Sequence, residues 1–250
     1  MGPTVLFEQS DGVAHISFNR GDRHNALGKD ELTGIENALA SLNQDTRVLV
    51  IGSEGGRTFC AGADLSQITS GELTGDRFQA VTNQIANLPI PTLCVINGNV
   101  FGGGVELAIS CDFRIGAEDI MMRIPAAAIG LCYPIDGIER LVSRLGVGTA
   151  KRLLVAAEEL TASDMKALGI LNWILPPSAL VEGAMDVARQ LAGLAPLSVR
   201  SMLKVISQIE RRELDRVEAA QLSEMCANSI DLQEGLAAQR ERREPEFKGH

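Results

Sequence analysis

Two glycine-rich segments, and a carboxylate inside one of them, are where this sequence is equipped for chemistry. The first reads RTFCAGADL over 57–65 and the second INGNVFGGGVELAISCD over 96–112. Small residues at the end of a strand let a ligand come close to the backbone, and crevices at the carboxyl end of an α/β sheet are favoured binding places. The triplet Gly102-Gly103-Gly104 opens a predicted helix, so unpaired N–H groups and the positive end of the helix dipole face the crevice. An anionic oxygen suits such a place. One N–H from each segment, aimed at the same point, would form an oxyanion hole, in which losing a donor costs about 10²–10³ in rate. Glu106 follows the triplet among Val105, Leu107 and Ala108. A carboxylate in apolar company costs free energy unless it is paired or used. Burial raises its proton affinity and the helix N-terminus lowers it, so the sign of its shift stays open at this level.

Other chemistries lack their parts. The sequence has no HExxH, no GxxxxGK[ST] and no GxSxG, and Glu106 and Leu107 break the spacing a dinucleotide-binding glycine fingerprint would need. His15, His24 and His250 are its only histidines, so a zinc site is not expected; no separate cofactor is expected either. With 32 Asp and Glu against 23 Lys and Arg, the formal charge is −9. Such a surface repels phosphate backbones, and nucleic acid is not an expected partner. No apolar run approaches the roughly 18 residues of a membrane span. The N-terminus also lacks the basic flank and apolar stretch of a secretory signal. Cys60, Cys94, Cys111, Cys132 and Cys226 form an odd set without a CxxC pair. They read as small apolar residues in a reducing compartment, and the cytoplasm is the expected location.

The elements that must position the two segments alternate. Residues 5–9 and 14–19, separated by Ser10-Asp11-Gly12, predict a β-hairpin. A helix follows over 29–43, with Leu32, Ile35, Leu39 and Leu42 on one stripe. The strand at 48–52 hardly alternates, as expected when both faces are covered, and a Gly/Ser-rich turn at 53–56 closes the unit. Next come a helix at 77–87, a strand at 92–97, a short helix after Gly104 and a strand at 113–117. This order predicts an α/β fold with crossover connections. Beyond Gly137 helices are expected at 138–145, 149–157 and 162–168, the last with a capping-box-like Thr161/Asp164 spacing. A β-like piece at 172–175 stops at Pro176-Pro177. The stretch 179–248 reads as helical throughout, punctuated at Ala195-Pro196. The expected division is a core over 1–195 and a helical C-terminal region over 196–250, packed on the body or on a neighbouring subunit.

The two glycine-rich segments resemble those of the enoyl-CoA hydratase/isomerase (crotonase) superfamily. The likeness continues through RHNAL at 23–27, the 125–130 region, TASDMKALG at 161–169 and the closing EFKGH. It implies a crotonase-like spiral of ββα units with a helical C-terminal region, assembled as homotrimers or homohexamers, and a coenzyme A thioester as substrate. By position, the resemblance makes the N–H groups of Ala63 and Gly103 the oxyanion donors and Glu106 one of the family's two catalytic glutamates. It places backbone around Ala61, Ala63, Asp64 and Leu65 at the adenine end of coenzyme A, and Arg23 and His24 along its channel. Arg242 aligns with a position that contacts phosphate in some members, often across a subunit boundary. Other readings remain open. Asp64 also suits a local cap, and Arg242 sits in the charge run RERRE at 240–244, which suits a solvated helix face.

The likeness breaks at one telling place. Hydratases of this family carry a second glutamate directly after a proline, and here the pair is Pro125-Ala126. Adding water across a double bond needs one group for the water and another for the α-proton. A single base can still shuttle a proton between two carbons, which is isomerisation. The family's isomerase acid lies a few residues on, at the position of Pro134. Tyr133 and Asp136 are the polar residues nearby. A tyrosine at this position resembles members that decarboxylate malonyl-type thioesters, while packing for Tyr133 and helix capping for Asp136 are equally compatible. Three functions follow: a hydratase/isomerase-type enzyme working through a thioester enolate, a malonyl-type decarboxylase, and an acyl-CoA-binding protein without turnover.

Overall fold

The computed structural model describes residues 2–55 and 57–250; Met1 and Gly56, the last residue of the 53–56 turn, lie outside them. The chain starts with the antiparallel hairpin of β1 (Val5–Ser10) and β2 (Val13–Phe18), followed by α1 (Lys29–Ala40). It continues through β3 (Val48–Ser53), β4 (Thr58–Cys60), α2 (Leu65–Ser70), α3 (Gly75–Ala86), β5 (Thr92–Ile96), β6 (Asn99–Phe101) and α4 (Gly103–Ser110). β7 (Phe113–Ala117), β8 (Met121–Arg123), α5 (Ile135–Leu154), β9 (Leu160–Thr161), α6 (Ala162–Ala167) and β10 (Trp173–Leu175) come next. The helices α7 (Pro177–Ala192), α8 (Pro196–Glu210), α9 (Arg216–Ala227) and α10 (Ile230–Glu241) complete the chain.

The strands form two sheets. The larger runs in the order β1-β2-β3-β5-β7-β10 and the smaller in the order β4-β6-β8-β9. From β2 to β10 the large sheet is parallel. Each of β3, β5 and β7 is followed after a short loop by a partner in the small sheet, and helices return the chain for the next turn. This is a spiral of ββα units with a helical C-terminal region. The continuous apolar runs of β3 and β5 are buried on both sides, which is why they show no period of two. α7 packs across the same sheet, touching β2, β3, β5, β7 and β10. The main apolar cluster ends with Ala192.

The helices expected at 138–145 and 149–157 both form, as the two halves of α5 on either side of Gly146, where φ 77° and ψ 160° break the helical path. Other expectations need correction, beginning with the end of α5. Its helical path stops at Leu154, and Ala157 takes a positive φ of 48°. The stretch 179–248 is four helices, followed by an extended tail. Asp215 and Ser229 cap α9 and α10 with their side chains and so interrupt the run. The tail folds back: the buried Asp231 accepts from the N–H groups of Lys248 (2.7 Å) and Gly249 (2.8 Å). The Thr161/Asp164 box forms as its spacing suggests.

α4 is short, and its last carbonyls lie in the core, where water cannot satisfy them. Two arginines do so instead. Arg144 donates to the carbonyls of Ile109 (2.7 Å), Ser110 (2.9 Å) and Cys111 (3.1 Å). Arg114, itself buried, donates to Cys111 O (2.6 Å), Ala108 O (3.4 Å) and Ile170 O (2.6 Å). Two positive groups at a helix C-terminus also complement its dipole. Arg114→Met strands the Ile170 carbonyl, a loss worth about 1–3 kcal/mol, while Cys111 O keeps its bond from Arg144 and Ala108 O its bond from the Cys111 N–H. A drop in denaturant midpoint equivalent to about 1–3 kcal/mol is expected. An unchanged midpoint would remove this account of how α4 is held.

Candidate active site

The second glycine segment turns the chain from β6 into α4. Gly102 takes φ 51° and ψ −121°, a conformation that favours glycine. Gly103 begins the helix, so its N–H has no partner within it. The first glycine segment lies against this turn. Leu27 N–H donates to Gly62 O (2.8 Å) and Asp64 N–H to Leu27 O (2.9 Å). Because alternate residues along an extended chain face opposite ways, this pairing turns the Ala63 N–H away from Leu27. Among the described residues it has no acceptor. The close approach is visible in what a side chain would meet. A Cβ on Gly103 would lie 3.2 Å from Ala63 N and 2.7 Å from the Phe78 ring, and a Cβ on Gly62 only 2.6 Å from Gly103 N. Ala63 and Gly103 thus share one wall.

That wall borders a cavity of about 140 Å³. Ala61, Leu65, Ile68, Phe78, Ile124, Ala126, Ile129 and Leu131 give it an apolar lining, with Thr74, Gln79, Glu106 and Tyr133 as polar groups. Glu106 is 1% exposed. Its Oε1 accepts from Arg140 Nη1 (3.0 Å) and from Thr82 Oγ1 (3.4 Å). Arg140, 9% exposed, also donates from Nη1 to Thr82 Oγ1 (3.0 Å) and from Nη2 to Asn83 Oδ1. Burial pushes the Glu106 carboxyl above the usual glutamate value, against contrary pulls from the Tyr133 hydroxyl, the Arg140 charge, Gln79 and Thr82. The sign left open by the sequence is therefore upward, because desolvation outweighs the partners. Tyr133 is pushed well above the ordinary phenol range by its own burial and by Glu106, and its hydroxyl lies 3.4 Å from Gly102 O. Gly137 makes room for both: a Cβ there would lie 2.5 Å from the Tyr133 ring and 2.7 Å from Glu106 Oε2.

The other expected residues separate. Asp64 caps α2, accepting from Ser66 N–H (3.1 Å) and Ser66 Oγ (2.5 Å), and pairs with Arg20 (3.3 Å). Hydrogen bonds from Ser66 lead in holding its carboxyl below the usual range. Asp136 does not line the apolar cavity. It begins α5 in a polar cleft of about 690 Å³ with Asn83, Arg140 and Arg144. Arg140 lines that cleft and, one helical turn on from Asp136, reaches Glu106. Arg23 and His24 are exposed in the turn before Leu27, with His24 Nδ1 3.4 Å from Thr58 Oγ1. Arg242 ends α10 in a left-handed conformation, exposed and away from the cavity lining. All five cysteines are free. Burial pushes the Cys60 thiol up to about 12, so next to the site it behaves as an apolar filler.

The enoyl-CoA hydratase/isomerase family model matches residues 8–250. The chain belongs to that family. Methylglutaconyl-CoA hydratase of Mus musculus is 34% identical over 98% of this chain and 82% of its own length. Enoyl-CoA hydratase domain-containing protein 2 of the same species is 33% identical over 98% and 87%. The solved enoyl-CoA hydratase from Bacillus anthracis, 28% identical, superposes with a TM-score of 0.88 over 99% of this chain and all of that one. Turnover of coenzyme A thioesters, the family's general chemistry, is the activity class of this chain. The expected cytoplasmic location is corrected by these relatives, since both mouse proteins are mitochondrial. Unpaired cysteines report a reducing environment and do not distinguish one such compartment from another. No helix among the described residues is long and apolar enough to cross a membrane.

Arg140, Thr82, Asn83 and Gly137 were missed in the sequence. The Asp136/Arg140/Arg144 spacing of four was the available signal, since it puts three charged groups on one face of α5. Removing the Arg140 charge takes away a group that favours the ionised form of Glu106. Its proton affinity must rise further, and the basic form is then lost at a higher pH. The acid limb of kcat/KM should move upward in Arg140→Met and less so in Arg140→Lys. Superimposable pH–rate profiles for all three proteins would refute this role for Arg140.

Proposed function

We propose that the protein is an acyl-CoA enzyme of hydratase/isomerase type that forms a thioester enolate. In this reading the thioester oxygen accepts from the Ala63 and Gly103 N–H groups, and Glu106 is the catalytic base. The observation that carries it is the meeting of these two amides, free of internal acceptors among the described residues, beside a buried carboxylate. Glu106 takes a proton from a carbon activated by the thioester. The C–H electron pair passes into the enolate, whose charge gathers on the oxygen held by the two amides. Return of the same proton to another carbon shifts the double bond, with atoms and charge balanced. One carboxylate suffices for that sequence, and its upward shift brings its proton affinity nearer to a neutral working pH.

One feature supports a second reading. Tyr133 presents a buried hydroxyl beside Glu106, and Ala126 stands where a second carboxylate would be. Loss of carbon dioxide from a malonyl-type thioester needs the same oxyanion site and no proton abstraction to begin. One experiment separates the two readings. On a panel of unsaturated thioesters, Glu106→Gln should lower kcat by about 10²–10⁴, with dissociation constants for the thioesters changed less than about threefold. Full activity of that variant on unsaturated substrates sinks the base assignment. Carbon dioxide release that survives Glu106→Gln and falls in Tyr133→Phe would establish the decarboxylase instead.

We also propose assembly into homotrimers or homohexamers. Met202, Ile206, Ile209, Val217, Met225 and Leu236 are exposed on α8–α10, more large apolar side chains than a lone helical face ordinarily leaves in water. Light scattering should give three or six times the 26.7 kDa chain mass. A monomer mass at micromolar concentration would end this proposal.

A further inference from the structure

α3 carries three polar residues on its inward side, at a spacing that puts them on one face: Gln79, Thr82 and Asn83. Thr82 and Asn83 are occupied. Thr82 donates to Glu106 and accepts from Arg140, and Asn83 accepts from Arg140. Gln79 is not. It is 7% exposed, and neither its Oε1 nor its Nε2 has a hydrogen-bond partner. Among the described residues it is the only buried side chain left in that condition. Its carboxamide lies near enough to Glu106 to act on that group's proton affinity, yet without hydrogen-bond geometry to it. Buried amides are almost always satisfied, and an exception asks for a partner that binding supplies.

Gln79 lines the cavity of Glu106, Tyr133 and the Gly103 amide, whose other side chains are apolar apart from Thr74. A purely hydrocarbon acyl group placed there would cover the carboxamide and leave both its polar atoms dry. An oxygen substituent would accept from Nε2, and a hydroxyl could also donate to Oε1. We propose that Gln79 is a specificity-determining residue, selecting acyl-CoA thioesters whose acyl group carries a hydrogen-bonding oxygen. This rests on the acyl-CoA reading above and narrows its substrate class. Gln79 is neutral, so it accommodates a hydroxyl or a carboxylate, and the two are distinguished by experiment.

The test is direct binding, which needs no turnover. Dissociation constants are measured by calorimetry for butyryl-CoA, 4-hydroxybutyryl-CoA and succinyl-CoA, with the wild-type protein, Gln79→Leu and Gln79→Glu. Wild type should bind at least one oxygenated thioester roughly tenfold more tightly than butyryl-CoA, the ratio expected from one hydrogen bond. In Gln79→Leu that ratio should fall to about one, with butyryl-CoA bound as well as before or better; this retained affinity also reports an intact fold. Gln79→Glu should keep the hydroxyl ligand and reject the carboxylate if the carboxylate is the natural guest. A wild-type preference for butyryl-CoA, or a ratio unchanged in Gln79→Leu, overturns the inference while leaving the acyl-CoA reading in place. Failure of the wild-type protein to bind any of the three overturns both.

Discussion

The site depends on holding a short helix end-on in the middle of the protein. α4 is buried along nearly its whole length, so neither end can rely on water. Its C-terminal carbonyls are taken up by Arg114 and Arg144, and its N-terminal amide at Gly103 is left free at the cavity. The asymmetry follows from helix electrostatics. Cations at one end stabilise the helix in place, and in the proposed function the unsatisfied N–H groups at the other would receive a ligand oxygen. Everything else in the constellation is fixed relative to this rod. Glu106 lies in its first turn, Gly62 and Ala63 press against its start, and Phe78 fills the space that a side chain on Gly103 would need.

The charge balance around Glu106 follows from the same burial. A carboxylate and a guanidinium removed from water together need good geometry and further hydrogen bonds to offset their lost hydration. Arg140 has both, through its contacts with Thr82 and Asn83. The pair nevertheless leaves Glu106 with a raised proton affinity. The arginine keeps the carboxylate accessible without making it inert. A bare buried glutamate would hold its proton too firmly to act as a base, and an exposed glutamate paired with arginine would bind a proton too weakly.

Much of this was legible from residue order. The hairpin, the doubly covered strands β3 and β5, the two glycine segments and the acid inside one of them all follow from local rules. The small sheet does not. β4, β6 and β8 have three residues each, too few for alternation to register, and they exist because the large sheet delivers their ends side by side. Asp136 illustrates the opposite error. It is close in sequence to Tyr133, but the helix starting at Ile135 turns it into the polar cleft and presents Arg140 to Glu106 instead. Sequence proximity identified the right segment and the wrong side chain. Gln79 gave no signal at all, because one polar residue in an amphipathic helix is ordinary until burial shows it without a partner.

Ala126 gains meaning from that comparison. In an apolar lining, a missing carboxylate removes a charge that would have needed its own compensation, and Arg140 is already committed to Glu106. A second ionised group in so small a cavity would push both proton affinities upward, and no further cation lines the space. One carboxylate, a phenol held protonated by burial and an unpaired amide form a set that can exist together without water. That is the electrostatic economy of a single-carboxylate site. In the proposed function the reactive charge sits on one residue, and Tyr133 and Gln79 are neutral groups whose hydrogen bonds would discriminate between acyl groups.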